Sequence, residues 1–233
     1  MAMSKPNASS PLGAIPMFAG LPPERLVQVL EGMHERSVPA GADIITQGEP
    51  GDAVFVILEG SVKVHRRTAA GAEVILSILG PGEVVGEMSV VDSLDRWASV
   101  AALGDASVLW MDGEAFRRLV EEEPSVRSAL IELLCRRVRS ADARVEALAA
   151  LDVEGRVGWM LLTLAKEHGE PKAGGGVRIP LPLTQGDIAA MTGASRVRVN
   201  QVLSKFRRHG WVTLDGRRRI SVRDEAALEA HSV

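Results

Sequence analysis

The sequence predicts an α+β protein in three parts: an N-terminal antiparallel β-roll or jelly roll, a long helix, and a C-terminal winged helix-turn-helix. Three observations predict it. Glycines from Gly41 to Gly86 punctuate short apolar runs about every ten residues, the texture of short antiparallel strands. Apolar residues then recur at alternating spacings of 3 and 4 from Ile131 to Leu148, the period of a helix with one narrow apolar stripe. Near the C-terminus, two capped helices joined by a glycine turn precede an Asp-Gly hairpin signal.

Taken in order, residues 1–12 are rich in Ser, Pro and Asn, a composition that favours disorder, and the expected disordered tail is 1–14. Pro22–Gly32 reads as a short amphipathic helix with Leu26, Val29 and Leu30 on one face. From Val38 the β-roll begins, continuing through Ala98–Leu103 and Ser107–Met111, so that 15–112 forms the first domain. Asp112 is placed to cap the helix DGEAFRRLVEEE. Pro124 suits the first turn of the next helix, which runs to about Leu151. The helical segment 113–151 carries Ile131, Leu134, Val138, Ala141, Val145 and Leu148 as a heptad seam. Charged residues flank this stripe, including Glu132, Arg136, Arg137, Arg139, Asp142, Arg144 and Glu146. A narrow apolar seam between charged flanks favours a two-helix coiled coil, hence a homodimer. A third region, 152–233, opens with Asp152 as the cap of a helix to about Glu167, followed by a flexible turn at 172–176.

Composition limits the function classes. The 233 residues are 46% hydrophobic and 24% charged, enough for a globular core. No run approaches the roughly 18 apolar residues of a membrane span, and no N-terminal apolar run suggests a signal peptide, so a cytoplasmic protein without a membrane partner is expected. Eight aromatic residues, none of them Tyr, argue against a base-stacking single-strand binder. The one cysteine, Cys135, cannot form a disulfide framework or a Cys-ligated metal site within one chain. No metal site is expected. No nucleophile–base pair, HExxH or P-loop is evident, and an enzyme is not expected.

The net charge of −3 is uneven. From Val153 onward there are 13 basic and 8 acidic residues, net +5; the rest holds 14 and 22, net −8. Between Arg196 and Arg219 stand 8 basic residues and one acidic residue, Asp215, a candidate phosphate-binding surface. Just before it, Thr184 and Asp187 form a capping-box analogue at the start of a helix to Met191. Gly193 sits where positive φ is needed, and Ser195 caps a second helix to about Arg208. In a helix-turn-helix the first turns of the second helix meet base edges in the major groove. Those turns expose Arg196, Val197, Arg198, Asn200 and Gln201. Arg reads guanine, and Asn and Gln can read adenine. Arg217, Arg218 and Arg219 on the wing would lie near phosphates, and Thr184, Ser195 and Lys205 complete the expected DNA-binding set.

In the β-roll, Gly86-Glu87-Met88 and Arg96-Trp97-Ala98 suggest a small-ligand site. A glycine-preceded helical turn offers backbone N–H groups to an anion, Glu87 can accept from a hydroxyl, and Arg96 can clamp a phosphate. A buried Glu87–Arg96 ion pair that merely holds the turn is the other reading of the same residues.

The order of these pieces resembles the bacterial cyclic-AMP receptor protein / fumarate-nitrate regulator (CRP/FNR) family, over about residues 15–222. The resemblance rests on PAGADII, Gly60-Ser61-Val62-Lys63-Val64, Gly86-Glu87-Met88 with Arg96, Leu151-Asp152-Val153-Glu154-Gly155-Arg156, and Thr184-Gln185-Gly186-Asp187-Ile188-Ala189 with Gly193-Ala194-Ser195-Arg196. It implies a cyclic-nucleotide-binding-like effector domain and a dimerising helix. It further implies allosteric control by cAMP or another cyclic nucleotide, palindromic operators in double-stranded DNA, and contact with RNA polymerase. Three positions depart from the cAMP-binding pattern. Trp97 stands where a Ser or Thr usually follows the phosphate-clamping arginine, and Ala141 and Asp142 stand where Thr-Ser usually reads the base. A small acid as effector, or activity without a ligand, therefore stays open. In the recognition helix Val197 replaces the usual Glu, so the operator is expected to differ from the best-known family site. The fumarate-nitrate cluster needs several cysteines, and neither His34 nor His65 lies in a telling motif, so neither an iron–sulfur cluster nor haem is expected. Cys135 beside the seam reads as a plain semi-buried thiol. The alternative function is a cyclic-nucleotide-responsive regulatory subunit whose C-terminal region docks on a partner protein.

Overall fold

The computed structural model describes residues 11–215 and 219–230. The chain folds as two compact units. One takes the residues up to Val64 together with Ile78–Val138, and the other takes His65–Ser77 together with the chain from Arg139 onward.

The first unit opens with a 3-10 turn, Pro11–Ala14, and α1, Pro23–Glu31. The strands are β1 (His34–Val38), β2 (Asp43–Ile45), β3 (Ala53–Glu59), β4 (Val62–Arg67), β5 (Glu73–Leu79), β6 (Val84–Val85), β7 (Ser99–Ala102) and β8 (Ala106–Asp112). They form two four-stranded sheets, ordered β1-β8-β3-β6 and β2-β7-β4-β5. Pairing is antiparallel between β1 and β8, β8 and β3, β3 and β6, and β2 and β7. Helix α2 (Glu87–Asp92) sits between β6 and β7; α3 (Gly113–Glu122) and α4 (Pro124–Ala150) follow β8.

Two cores explain why β3 is apolar on both faces. Ala53, Phe55 and Ile57 pack with Ile44, Ile45, Val62, Leu79, Val100 and Val108, residues of both sheets. The alternate residues Val54 and Val56 pack with Phe18, Phe116, Leu119, Val126, Leu130 and Leu133, on the helical side. Side chains alternate across a strand with period 2, so a strand between two cores has no polar face. The expectation of a disordered tail to residue 14 is corrected for Pro11–Ala14. Leu12 is fully buried in the helical-side core, with Ile15, Met17 and Phe18 beside it; the apolar side chains following the polar stretch are enough to pin the turn. Residues 1–10 of that expectation lie outside the described residues.

Helix α4 carries two apolar stripes. Val126, Leu130 and Leu133 are buried in the first unit. Ile131, Val138, Val145 and Leu148 are 56%, 59%, 64% and 45% exposed. Of the other seam positions, Leu134 is half-buried against the first unit's own core and Ala141 is exposed. The helix thus packs on its own domain with one face and presents most of the seam to solvent with another.

The second unit takes the end of β4, most of β5 and the end of α4, and holds α5 (Val153–His168), β9 (Glu170–Pro171), β10 (Val177–Ile179), α6 (Gln185–Thr192), α7 (Arg196–Arg208), β11 (Val212–Leu214), β12 (Ile220–Val222) and α8 (Glu225–Ala230). Asp152 caps α5 by accepting from Gly155 N at 2.8 Å. The sheet order is β11-β12-β10-β9, so the wing hairpin is extended by a second hairpin that the sequence reading left as a flexible turn. That turn is tied at its base by Lys172 N donating to Gly176 O at 3.1 Å.

Candidate effector cradle and DNA-reading surface

The cradle begins at Gly86, whose φ of 85° and ψ of 0° place it in the left-handed region as the N-cap of α2. A Cβ at this position would stand 2.8 Å from Arg96 Nη1 and 3.0 Å from Ala53 O. Only glycine meets both the backbone angle and the close approach. Arg96 is held from both sides through its backbone: its N donates to Glu49 O at 2.8 Å and its O accepts from Gly48 N at 2.9 Å. Its guanidinium is 5% exposed and donates to Gly86 O at 2.8 Å and Ala53 O at 2.7 Å. Asp52 Oδ1 lies 3.7 Å from Nη2. Burial lowers the pKa of Arg96, opposed by the charges of Asp52, Glu87 and Glu49.

Glu87 is fully buried. Its Oε1 accepts from Arg137 Nη1, while Arg137 Nη2 donates to Val84 O at 2.6 Å. The other oxygen, Oε2, is buried with no hydrogen-bond partner among the described residues. The direct partner of Glu87 is therefore Arg137 of α4, not Arg96, which acts on it only through its charge. Burial pushes the Glu87 carboxyl above its ordinary pKa; Arg137, a backbone hydrogen bond and Arg96 pull it down.

The remaining expected effector residues are spread more widely. Met88 and Trp97 are 43% and 58% exposed, so the indole stands largely in solvent. Ala98 is half-buried. Ala141 and Asp142 are exposed on α4, in the second unit. Arg137 was legible only as a charged flank of the seam. Its phase gave more: it follows Val126, Leu130 and Leu133 at spacings of 4, 3 and 4 on the buried stripe.

The DNA-reading surface is built by local capping. Thr184 and Asp187 make a full capping box at the start of α6. Gly193, at φ 63°, closes that helix, and Ser195 caps α7 by accepting from Arg198 N at 3.2 Å. Val199, Val202, Leu203 and Phe206 are buried beneath α7. That leaves Arg196, Val197, Arg198, Asn200 and Gln201 exposed on its first turns. Arg196 lies over Gly186, where a Cβ would stand 3.2 Å from its Nε. Lys205 forms an ion pair with Glu154 of α5 at 2.6 Å, which separates it from the free basic face. Asn200, Gln201, Ser204, Arg207 and Arg208 line an open depression of about 610 Å³ along the outward side of α7; the last three extend the surface beyond the residues read from sequence. In the wing, Asp215 N donates to Arg219 O at 3.0 Å, and Arg219 N to Asp215 Oδ1 at 2.9 Å. Arg217 and Arg218 lie outside the described residues.

A β-roll with a buried Glu and Arg, joined to a capped helix-turn-helix and wing, defines a DNA-binding regulator with a separate sensing domain. Residues 35–123 match the cyclic nucleotide-binding domain and residues 155–231 the Crp-like helix-turn-helix domain. The chain is 34% identical over 201 residues to the CRP-like cAMP-activated global transcriptional regulator of Mycobacterium tuberculosis, covering 86% of this chain and 89% of that protein. It is 34% identical over 214 residues to the Cyclic AMP receptor protein of Thermus thermophilus, covering 92% and 95%. The solved structure of FixK2 from Bradyrhizobium japonicum shares the fold, with a TM-score of 0.77 at 21% identity over 86% of this chain and 98% of that one. The chain belongs to the CRP/FNR family of transcriptional regulators. The helix-turn-helix match favours action on DNA over the alternative of a docking module for a partner protein. Among the described residues, no helix is long and apolar enough to cross a membrane.

The Glu87 environment yields a pH prediction. A carboxyl with a higher pKa folded than unfolded binds more protons when folded. Its contribution to stability is full below the unfolded pKa and is lost as pH rises through the folded one. Glu87→Gln, which cannot ionise, is expected to gain stability relative to the parent as pH climbs from about 4.5 toward neutrality. Denaturant unfolding at a series of pH values checks this; parallel pH curves for the two proteins would contradict it.

Proposed function

We propose that this regulator is a homodimer that reads a palindromic operator in double-stranded DNA and responds to a cyclic nucleotide held between Gly86–Met88 and Arg96–Ala98. The observation that carries the effector reading is Glu87: a fully buried carboxylate whose Oε2 has no partner among the described residues. A buried acceptor without a partner costs roughly 1–3 kcal/mol, a cost that a sugar hydroxyl donating to it would relieve. Arg96 has five N–H donors and spends one each on Gly86 O and Ala53 O. The rest suit a phosphate beside the hydroxyl. The departures at Trp97, Ala141 and Asp142 concern the rim and the base, not this pair. The relatives from Mycobacterium tuberculosis and Thermus thermophilus are named for cAMP, which makes cAMP the first nucleotide to test.

The functional division is an effector domain over 15–112, dimerising helices over 113–151 and the winged helix-turn-helix over 152–233. Dimerisation is supported by the seam: Ile131, Val138 and Val145 repeat every seven residues and are all more than half exposed, an apolar stripe of the kind a coiled coil covers. A two-fold axis along it would set two α7 helices against half-sites about 34 Å apart. Effector contacts at Glu87 would reach α4 through Arg137 and so bias the arrangement of the two DNA-binding domains. Contact with RNA polymerase, and a cytoplasmic location, follow from the family role.

Two measurements test this reading. In a thermal-shift titration with cAMP and cyclic GMP, nucleotide at about 100 times its Kd stabilises by about 2.7 kcal/mol, and the shift disappears in Arg96→Ala. No shift at millimolar nucleotide would remove the cyclic-nucleotide reading. Val138→Arg places a charge in the seam and is expected to convert the dimer to a monomer in sedimentation velocity, with loss of operator affinity. A Val138→Arg protein that sediments and binds as the parent does would place the interface elsewhere.

A further inference from the structure

The outward face of α7 carries two side-chain hydrogen bonds, and one of them settles which polar atom the helix offers to a groove. Arg198 Nη1 donates to Gln201 Oε1 at 3.3 Å. Gln185 Nε2, from the first turn of α6, donates to Asn200 Oδ1 at 3.2 Å. All four residues are exposed, so neither bond is needed to satisfy a buried group. A guanidinium has donors and no acceptor, so the Gln201 amide can pair with it only through its carbonyl oxygen. The amino group of Gln201 is the part left for a base edge. The Gln185–Asn200 pair joins two amides, each with donors and an acceptor, so it leaves either end of Asn200 free to face a base.

We infer that Arg198 is a positioning residue for specificity: it commits Gln201 to act as a hydrogen-bond donor, so that this amide selects guanine or thymine rather than adenine. The inference deepens the DNA-binding reading above and rests on it. Adenine offers N7 as an acceptor beside N6 as a donor, and a bidentate Asn or Gln uses its carbonyl and amino group together. Guanine offers two acceptors and thymine offers O4, which an amino group meets without the carbonyl. A base donor approaching Gln201 Oε1 would also meet the positive guanidinium of Arg198, which repels it. Val197 supplies no acceptor, and Arg196 adds donors only, so the neighbouring positions do not restore an adenine preference.

Selection of duplexes from a randomised library by the full-length protein, read by sequencing, tests the inference. Gln201→Ala locates its base position as the one whose preference relaxes. At this position the parent is expected to select guanine or thymine. Arg198→Ala frees the Gln201 carbonyl and is expected to raise the recovery of adenine at the Gln201 position about tenfold relative to the rest of the motif. Because the readout is preference at one position within a recovered motif, an overall loss of affinity does not mimic it. A parental motif with adenine at the Gln201 position, or a preference there unmoved by Arg198→Ala, overturns the inference and leaves DNA binding intact. Recovery of no motif at all overturns the DNA-binding reading and the inference with it.

Discussion

A single carboxylate buried beneath the turn at Gly86 is the constraint around which this protein is organised. Removing an ion from water costs several kcal/mol even after relaxation, and Glu87 has no exposure at all. The fold meets that cost from two directions. Arg96 is drawn under the same turn by the carbonyls of Gly86 and Ala53, and Arg137 reaches in from α4 to Glu87 Oε1 and Val84 O. The first arrangement needs a glycine at position 86, because any Cβ there would press on the guanidinium. The second needs α4 to lie against the roll. An apolar turn would be cheaper to bury; the charges instead leave a polar site beneath the turn, tied to α4 by Arg137.

Helix α4 accordingly has three uses along one length. Val126, Leu130 and Leu133 fix it to the first unit. Arg137, next on that stripe, brings its charge to the cradle. Arg144, one further heptad along, is partly buried and donates to Ile75 O at 2.8 Å; burial lowers its pKa, and the charge of Glu167 raises it. On another face, Ile131, Val138 and Val145 remain in solvent. The same helix that pairs with Glu87 therefore also carries the exposed apolar seam.

The parts of this architecture that were legible in the sequence are those set by local rules. The helix-turn-helix was readable because its ends are written in caps: Thr184 with Asp187, Gly193, and Ser195 each satisfy a nearby backbone requirement. The β-roll was readable as a texture of glycine turns. Strand β1, HERSV, was not, because an edge strand whose first four residues are exposed shows no apolar alternation. The β9–β10 hairpin was hidden by its brevity and by Pro171, and the 3-10 turn at Pro11–Ala14 by the polar stretch before it. Glu87 and Arg96 stand out in the sequence as residue types, but the partner of Glu87 does not. Pairing of Glu87 with Arg137 joins residues 50 positions apart, and the helix had been read for its outward stripe alone. The orientation of the Gln201 amide likewise depends on its neighbour Arg198, which residue type alone does not reveal.

The most direct test of the link between cradle and helix is the change in operator affinity that saturating nucleotide produces, compared between the parent and Arg137→Met by fluorescence anisotropy. Methionine keeps much of the apolar stem against the roll and removes the charge that reaches Glu87. The account predicts that nucleotide still binds the variant while the ratio of DNA affinities with and without it falls toward one. A ratio equal to the parent's would show that Glu87 and α4 communicate by another route.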